Sequence, residues 1–317
     1  MIIGEHLSIR QIGYIEDNYA PHALKIMVDQ DNQELHKPSI NIDIVIYANV
    51  KDFISKLTKF ANFKPNIIRD NWQKRTREIW EKYKPSPSNY NSERYLNPYH
   101  FLFSLFDLLN GEETIIIGNG ISVVGAFQAA KIKGNQQMFQ NYGCASMGYD
   151  LPGIIGSWLG KKRRNICITG DGSIQLNLQE LQTVKSLNIN AVIFVINNGG
   201  YDSIRQSQQT VFGEDSSLHG INQDTGLTFP NLEKIATAYD FKYISINSLE
   251  NCKVGITSAL NQAQCICEIF VDKTQNFEPK VSTFKNKDGT ISSGELTNMK
   301  PFFDKEEVEK ILKFLIN

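Results

Sequence analysis

Net charge of either sign is missing from this chain. Its 33 basic and 34 acidic side chains nearly cancel over 317 residues, and no long run of like charge appears. The sequence therefore gives nucleic acid and anionic membranes no electrostatic reason to bind. A small neutral or anionic ligand stays possible. Long apolar runs are missing too. Nothing approaches the ~18 residues that a membrane-spanning helix needs, and no signal-peptide pattern opens the sequence, so a cytoplasmic protein without a membrane partner is expected. The five cysteines, Cys144, Cys167, Cys252, Cys265 and Cys267, form no CxxC pair, and several sit inside apolar strand-like runs. Buried, reduced thiols are expected of them. The five histidines, His6, His22, His36, His100 and His219, are scattered without a metal-site spacing. No internal repeat stands out.

What the chain does have is alternation. Residues 24–28 read as a buried strand running into the acidic turn Asp29-Gln30-Asp31, and residues 42–47 as a second extended stretch. Helical patterns follow over 50–60 and over 67–83, the latter amphipathic and carrying Trp72 and Trp80. Pro85-Ser86-Pro87-Ser88-Asn89-Tyr90-Asn91 is the clearest linker, since proline blocks helix propagation and small polar residues bury little. Beyond it helices are expected over 98–109, 148–159, 178–186, 232–239 and 249–262, with strands over 114–117, 165–169, 191–196, 243–246 and 265–271. The segment 272–300 reads as a polar loop, and 304–315 as a closing helix.

Short apolar strands separated by helices predict an α/β protein with a doubly wound, mostly parallel sheet covered by helices on both faces. A partial Rossmann-like segment precedes it. The expected divisions are residues 1–60, a helix and linker over 61–97, and a main domain with its tail over 98–317. Ligands of such sheets sit at the carboxyl ends of strands.

Two glycine-rich turns fall at such ends. The strand over 166–169 runs into Gly170-Asp171-Gly172-Ser173, and the strand over 191–196 into Asn197-Asn198-Gly199-Gly200. A carboxylate, an amide oxygen and a backbone carbonyl are the hard oxygen donors that Mg2+ takes, with phosphate oxygens and water completing its shell. Glycine lets a backbone approach a diphosphate closely, and the helix starts behind each turn offer N–H groups to it. Gly118-Asn119-Gly120, after the strand over 114–117, is a third and weaker turn of this type.

This pair of turns resembles the thiamine-diphosphate fingerprint. The stretch Asn141-Tyr142-Gly143-Cys144-Ala145-Ser146-Met147-Gly148-Tyr149-Asp150-Leu151-Pro152 is similar to the acetolactate-synthase segment around the residue that bends the cofactor. The likeness continues through Gln179-Glu180-Leu181-Gln182-Thr183 and Phe229-Pro230, and runs from about Ile3 to about Val271. It implies thiamine diphosphate and Mg2+ as cofactors. Asp171 and Asn198 would bind the metal through side chains and Gly200 through its carbonyl. Gly170, Gly172, Ser173, Asn197, Gly199 and Tyr201 would line the diphosphate, with Gly118, Asn119 and Gly120 as a further loop. Ala145 would face the aminopyrimidine. Met147 would wedge between the two cofactor rings, although by itself, without that context, it reads as core filler.

The implied activity is decarboxylation of pyruvate or a similar 2-keto acid and transfer of the acyl carbanion to a carbonyl acceptor. A 2-keto acid decarboxylase, two-carbon transfer to a nucleotide-linked keto sugar, and an inactive cofactor-binding module are the alternatives. The family's catalytic glutamate comes from the pyrimidine-binding domain of a neighbouring subunit. No catalytic residue is therefore expected in this chain, and a partner chain in a homo- or hetero-oligomer is. The opening Met1-Ile2-Ile3-Gly4 falls where the resemblance is mid-strand, which favours truncation over a natural split. Acetolactate synthases carry a methionine and a tryptophan where this chain has Ser203 and Ser207, which implies a wider, more polar acceptor pocket. The Gly118-Asn119-Gly120 turn also lacks the family's usual glutamine and histidine.

The first 60 residues resemble the end of the domain that holds FAD in flavin-containing members, although too few strands remain for a complete one. Asp29 and Asp31 read either as ribose contacts or as solvated turn carboxylates. The stretch 212–228, with His219, reads either as a lid over the acceptor or as a plain solvent loop.

Overall fold

The computed structural model describes residues 1–60, 66–90, 95–141, 143–213, 218–273, 275–276, 278–301 and 303–316. It divides into two compact units, one made of residues 1–84 and 278–317 and the other of residues 85–277. Asn91, Tyr142 and residues 214–217, which fall within the expected linker, cofactor-bending segment and lid, lie outside the described residues.

The first unit opens with β1 (Ile2–Ile3), α1 (Ile9–Ile12), β2 (Ile26–Asp29), α2 (Asn32–Leu35), β3 (Ile44–Tyr47), α3 (Val50–Phe60) and α4 (Ile67–Tyr83). Its strands are parallel in the order β1-β2-β3. Met27 lies fully buried among Ile2, Leu7, Ile12, Leu35 and Ile40. Asp31 caps α2 by accepting the Gln33 N–H at 2.8 Å, and Asp29 accepts the Asp31 N–H at 2.8 Å. Both carboxylates are thus engaged in the turn itself.

The second unit contains α5 (Pro98–Leu108), β4 (Thr114–Ile117), α6 (Ile121–Ala129), β5 (Gln137–Gln140), α7 (Asp150–Gly160), β6 (Asn165–Gly170), α8 (Glu180–Ser186) and β7 (Ala191–Asn197). It continues with α9 (Asp202–Phe212), α10 (Leu232–Ala238), β8 (Lys242–Ile246), α11 (Leu249–Leu260) and β9 (Gln264–Phe270). All six strands are parallel, in the order β5-β4-β6-β7-β9-β8. This is the doubly wound sheet that the alternation predicts.

Side chains alternate across that sheet. Ile166, Ile168, Val192, Phe194 and Ile196 pack on one face with residues of α5, α6 and α11. Cys167, Ile193 and Val195 pack on the other with residues of α7, α8 and α10. Burial on both faces explains why β4, β6 and β7 read as unbroken apolar runs. The chain places β5 on one side of β4 and β6 on the other, so the sheet reverses its winding between β4 and β6. The crevice outside their carboxyl ends is where such a sheet binds ligands.

Some elements differ from the sequence reading. Helix α7 starts at Asp150 rather than at residue 148, because Gly148 takes φ +79°, outside the helical region. Residues 174–177 form a 3-10 turn before α8. Strand β5, with two apolar residues between glutamines, is a short edge strand that periodicity does not reveal. The expected loop over 272–300 contains an antiparallel pair, β10 (Thr283–Lys285) and β11 (Ile291–Ser293), and α12 (Lys305–Ile316) closes the chain. Residues 278–317 group with residues 1–84 and not with the sheet of the second unit.

Candidate functional site

Strands β6 and β7 are neighbours in register, with Gly170 opposite Ile196, so the turns that leave them lie side by side. Asp171 begins the first turn and is almost wholly buried. Its Oδ1 accepts the Gly172 N–H at 2.8 Å, and its Oδ2 accepts those of Gly199 at 2.8 Å and Gly200 at 3.1 Å. One carboxylate therefore ties the two turns together. Burial pushes its pKa up to about 7, against the opposing effect of the three backbone N–H donors, and the nearby charge of Glu268 adds to the rise.

Asn198 stands at the centre of the second turn. Its Oδ1 is buried and has no hydrogen-bond partner among the described residues. Of the six such buried side-chain atoms among the described residues it is the one in the turn clasped by Asp171, and a cation is one partner that would satisfy it. Its neighbour Asn197 is fully engaged: Nδ2 donates to Glu268 Oε1 at 2.6 Å, and Oδ1 accepts the Gly199 N–H at 2.9 Å. The glycines are required by space. A Cβ on Gly200 would overlap the backbone carbonyl of Ile221, and one on Gly172 would overlap the ring of Tyr201. That ring packs edge-on against Phe229, with centroids 5.5 Å apart.

The segment between β5 and α7 reaches the same end of the sheet. Asn119 Nδ2 donates to the Ala145 carbonyl, joining the turn after β4 to this segment, and Ala145 takes φ +50°, a left-handed conformation that a non-glycine residue adopts at a cost. Gly120 lies immediately before α6. Met147 is half-buried. The Gly148 N–H donates to Ser173 Oγ at 3.1 Å, and its carbonyl accepts from Asn177 Nδ2 at 2.8 Å.

Ser173 Oγ donates in turn to Asp150 Oδ2 at 2.9 Å. Asp150 is fully buried and also accepts from Thr169 Oγ1 and from the Leu151 N–H at 3.0 Å. Burial raises its pKa, with the Thr169 and Ser173 hydroxyls acting against the rise. The Ser173 hydroxyl is thus part of a buried network beneath the turns.

Ser203 and Ser207 are exposed, one turn apart on α9, and Ser207 Oγ donates to the Ser203 carbonyl at 2.9 Å. An adjacent face of α9 is buried through Asp202 and Gln206, joined at 2.6 Å. The described part of the loop after α9 is held in place. Tyr201 donates its N–H to Ile221 O at 2.9 Å, and Gln208 exchanges hydrogen bonds with the backbone of His219 at 3.0 and 3.1 Å.

Residues 118–120, 145–147, 170–173 and 197–201 therefore converge at the carboxyl ends of β4, β6 and β7. Among the described residues no group of three His, Cys, Asp or Glu side chains is gathered for a metal, so a cation here depends on mixed oxygen donors. The Asp171 carboxylate, the orphaned Asn198 oxygen and the Gly200 carbonyl fit a hard divalent ion. The glycine turns and the start of α6 fit a diphosphate. Sequence reasoning assigned no role to Asp150, Glu268 or Tyr243. The signal for the first two was a charged residue interrupting an apolar pattern, in Gly148-Tyr149-Asp150-Leu151 and in Cys265-Ile266-Cys267-Glu268-Ile269. No helix among the described residues is long and apolar enough to cross a membrane.

Residues 118–269 match the family model described as thiamine pyrophosphate enzyme, C-terminal TPP binding domain. The chain is 28% identical over 279 residues to an acetolactate synthase large subunit of Porphyra purpurea, which covers 85% of this chain and 45% of the relative. It is 22% identical to an acetolactate synthase large subunit of Lactococcus lactis subsp. lactis (strain IL1403), covering 86% of this chain and 46% of the relative. It is 24% identical to acetolactate synthase isozyme 3 large subunit of Escherichia coli (strain K12), covering 81% and 44%. The chain thus spans under half the length of these relatives. Residues 118–269 belong to the thiamine pyrophosphate enzymes as a C-terminal TPP-binding domain, and the chain is related to the carboxy-terminal half of acetolactate synthase large subunits.

Proposed function

We propose that this chain holds the diphosphate end of thiamine diphosphate through Mg2+ and serves a carboligase that decarboxylates pyruvate or a similar 2-keto acid and joins its acyl unit to a carbonyl acceptor. The observation that carries this reading is the pairing of Asp171 with the orphaned oxygen of Asn198 at the ends of adjacent strands. Asp171 and Asn198, with the Gly200 carbonyl, would hold the metal. The backbone of residues 118–120, 170–173 and 197–201 would line the diphosphate, and Met147 and Ala145 would set the angle between the cofactor rings. Bound thiamine diphosphate supplies the electron sink that the decarboxylation needs. The described residues bind and orient. The glutamate that activates the pyrimidine is brought by a pyrimidine-binding domain of another chain in the oligomer.

The acceptor is the open part of this reading. Exposure of Ser203 and Ser207 on one face of α9 supports a roomy, polar acceptor side, and so favours a large carbonyl compound such as a nucleotide-linked keto sugar over a second small keto acid. Calorimetric titration of the chain with thiamine diphosphate and Mg2+ tests the binding half: heat is expected, and Asp171→Ala is expected to abolish it. Equal binding by that variant would overturn the metal assignment. With a chain supplying the glutamate domain, carbon dioxide release from pyruvate and product analysis test the chemistry. Aldehyde without ligated product would identify a decarboxylase.

A further inference from the structure

We propose that Glu268, steadied by Tyr243, is the positioning residue that fixes the turn over residues 197–200 so that Asn198 presents its oxygen to the cation. The proposal rests on the metal reading above and adds to it a residue outside the site.

Three adjacent strands supply the three side chains. Asn197 ends β7, Glu268 lies on β9 and Tyr243 on β8, in the sheet order β7-β9-β8. Glu268 is opposite Val195 on one side and Ser245 on the other. The residue is 5% exposed. Oε1 accepts from Asn197 Nδ2 at 2.6 Å, and Oε2 accepts from the Tyr243 hydroxyl at 2.5 Å. The neighbours of Glu268 along β9 are buried Cys265, Ile266, Cys267 and Ile269. An apolar side chain in its place would fill this strand without the cost of burying a carboxylate, so the carboxylate has no packing rationale.

Its effect runs through the Asn197 amide. A carboxylate cannot donate, so it accepts only the NH2 end of that amide and turns Oδ1 the other way. Oδ1 then accepts the Gly199 N–H at 2.9 Å, the same N–H that reaches Asp171 Oδ2 at 2.8 Å. A flipped amide would oppose oxygen to oxygen at Glu268 and donor to donor at Gly199. Glu268 therefore selects one amide orientation, that orientation anchors Gly199 at φ +73°, and the anchored turn keeps Asn198 Oδ1 free of other partners. Tyr243 completes the chain by holding the second carboxylate oxygen.

The experiment uses the full chain and reads Mg2+ affinity by calorimetry at saturating thiamine diphosphate, with unliganded thermal stability measured in parallel. Glu268→Leu is expected to weaken Mg2+ binding about 10- to 100-fold, and Glu268→Gln, whose amide oxygen still accepts from Asn197, is expected to stay within about threefold of the parent chain. Asn197→Ala is expected to match Glu268→Leu, and the double variant to be no weaker than either alone, since both remove one linkage. Wild-type affinity in Glu268→Leu, or losses that multiply in the double variant, would overturn the proposal. If Glu268→Leu does not fold, Tyr243→Phe decides: weakened Mg2+ binding is expected, and unchanged affinity overturns the role. Asp171→Ala is the control that separates the two readings. If it binds Mg2+ like the parent chain, the metal site itself is misassigned. If it loses binding while Glu268→Leu does not, only the role of Glu268 fails.

Discussion

Asp171 Oδ2 accepts the Gly200 N–H at 3.1 Å, so a residue at the end of β6 holds the backbone of the turn leaving β7. The carboxylate proposed to hold the cation is also the clasp between the two turns. Its two roles can be separated by substitution.

Asp171→Asn keeps one acceptor oxygen, removes the charge and turns an NH2 group toward either the Gly172 N–H or those of Gly199 and Gly200. It is expected to melt modestly below the parent chain and to lose Mg2+-dependent binding of thiamine diphosphate. Asp171→Ala strands three N–H groups as well, and is expected to destabilise the second unit by on the order of 1–3 kcal/mol. Thermal melts and calorimetry on both variants check this split.

The pH dependence follows from the raised pKa. Folding lifts the Asp171 carboxyl from 3.8 to about 7 in the metal-free chain. The folded state therefore binds a proton that the unfolded state has released between those values. The contribution of Asp171 to stability is full below about 3.8 and is lost as pH rises through about 7. In EDTA, urea midpoints of the parent chain are expected to fall from pH 5 to pH 8 more steeply than those of Asp171→Asn. On the proposed metal assignment Mg2+ would bind the ionised form, so its affinity is expected to rise over the same interval. A parent chain and variant with parallel pH profiles would show that Asp171 does not titrate there.

Gly200→Ala drives a Cβ into the Ile221 carbonyl, which is backbone and can yield only by moving its loop. The expected outcome is a destabilisation of about 1–3 kcal/mol together with loss of cofactor binding. Gly172→Ala meets a side chain instead, the Tyr201 ring, so Gly172→Ala with Tyr201→Leu is expected to recover much of the stability lost in the single variant. Chemical denaturation of the three variants measures the difference.

Asp150 is expected to behave as a buried hub. Asp150→Leu leaves the Thr169 and Ser173 hydroxyls and the Leu151 N–H without their acceptor, and is expected to cost about 2–4 kcal/mol in urea unfolding. Asp150→Asn, which keeps an acceptor and removes a charge that burial already disfavours, is expected to cost less.

Much of the fold was legible because the strands of the central sheet are buried on both faces, and such strands announce themselves as unbroken apolar runs. The two turns at Asp171 and Asn198 were legible because glycine next to a hard oxygen donor at a strand end is a pattern with few structural uses. Strand β5 was not, since an edge strand needs one apolar face over only four residues. Neither were the links among Asn197, Glu268 and Tyr243. They depend on β9 inserting between β7 and β8, an order that sequence periodicity does not encode. The engagement of Ser173 with Asp150 was hidden for the same reason, as the two lie 23 positions apart and meet only across the folded turns.

The orphaned Asn198 oxygen has a thermodynamic consequence. A buried acceptor without a partner holds the metal-free fold about 1–3 kcal/mol below what the same packing would otherwise give, and a cation seated there removes that handicap while adding its own binding energy. Ligand and fold are then linked in one equilibrium. Saturating Mg2+ and thiamine diphosphate should therefore raise the melting temperature of the second unit by more than they raise it in Asn198→Leu, where the handicap is already gone. On the proposed assignment, stability in this chain would be in part a property of what it holds.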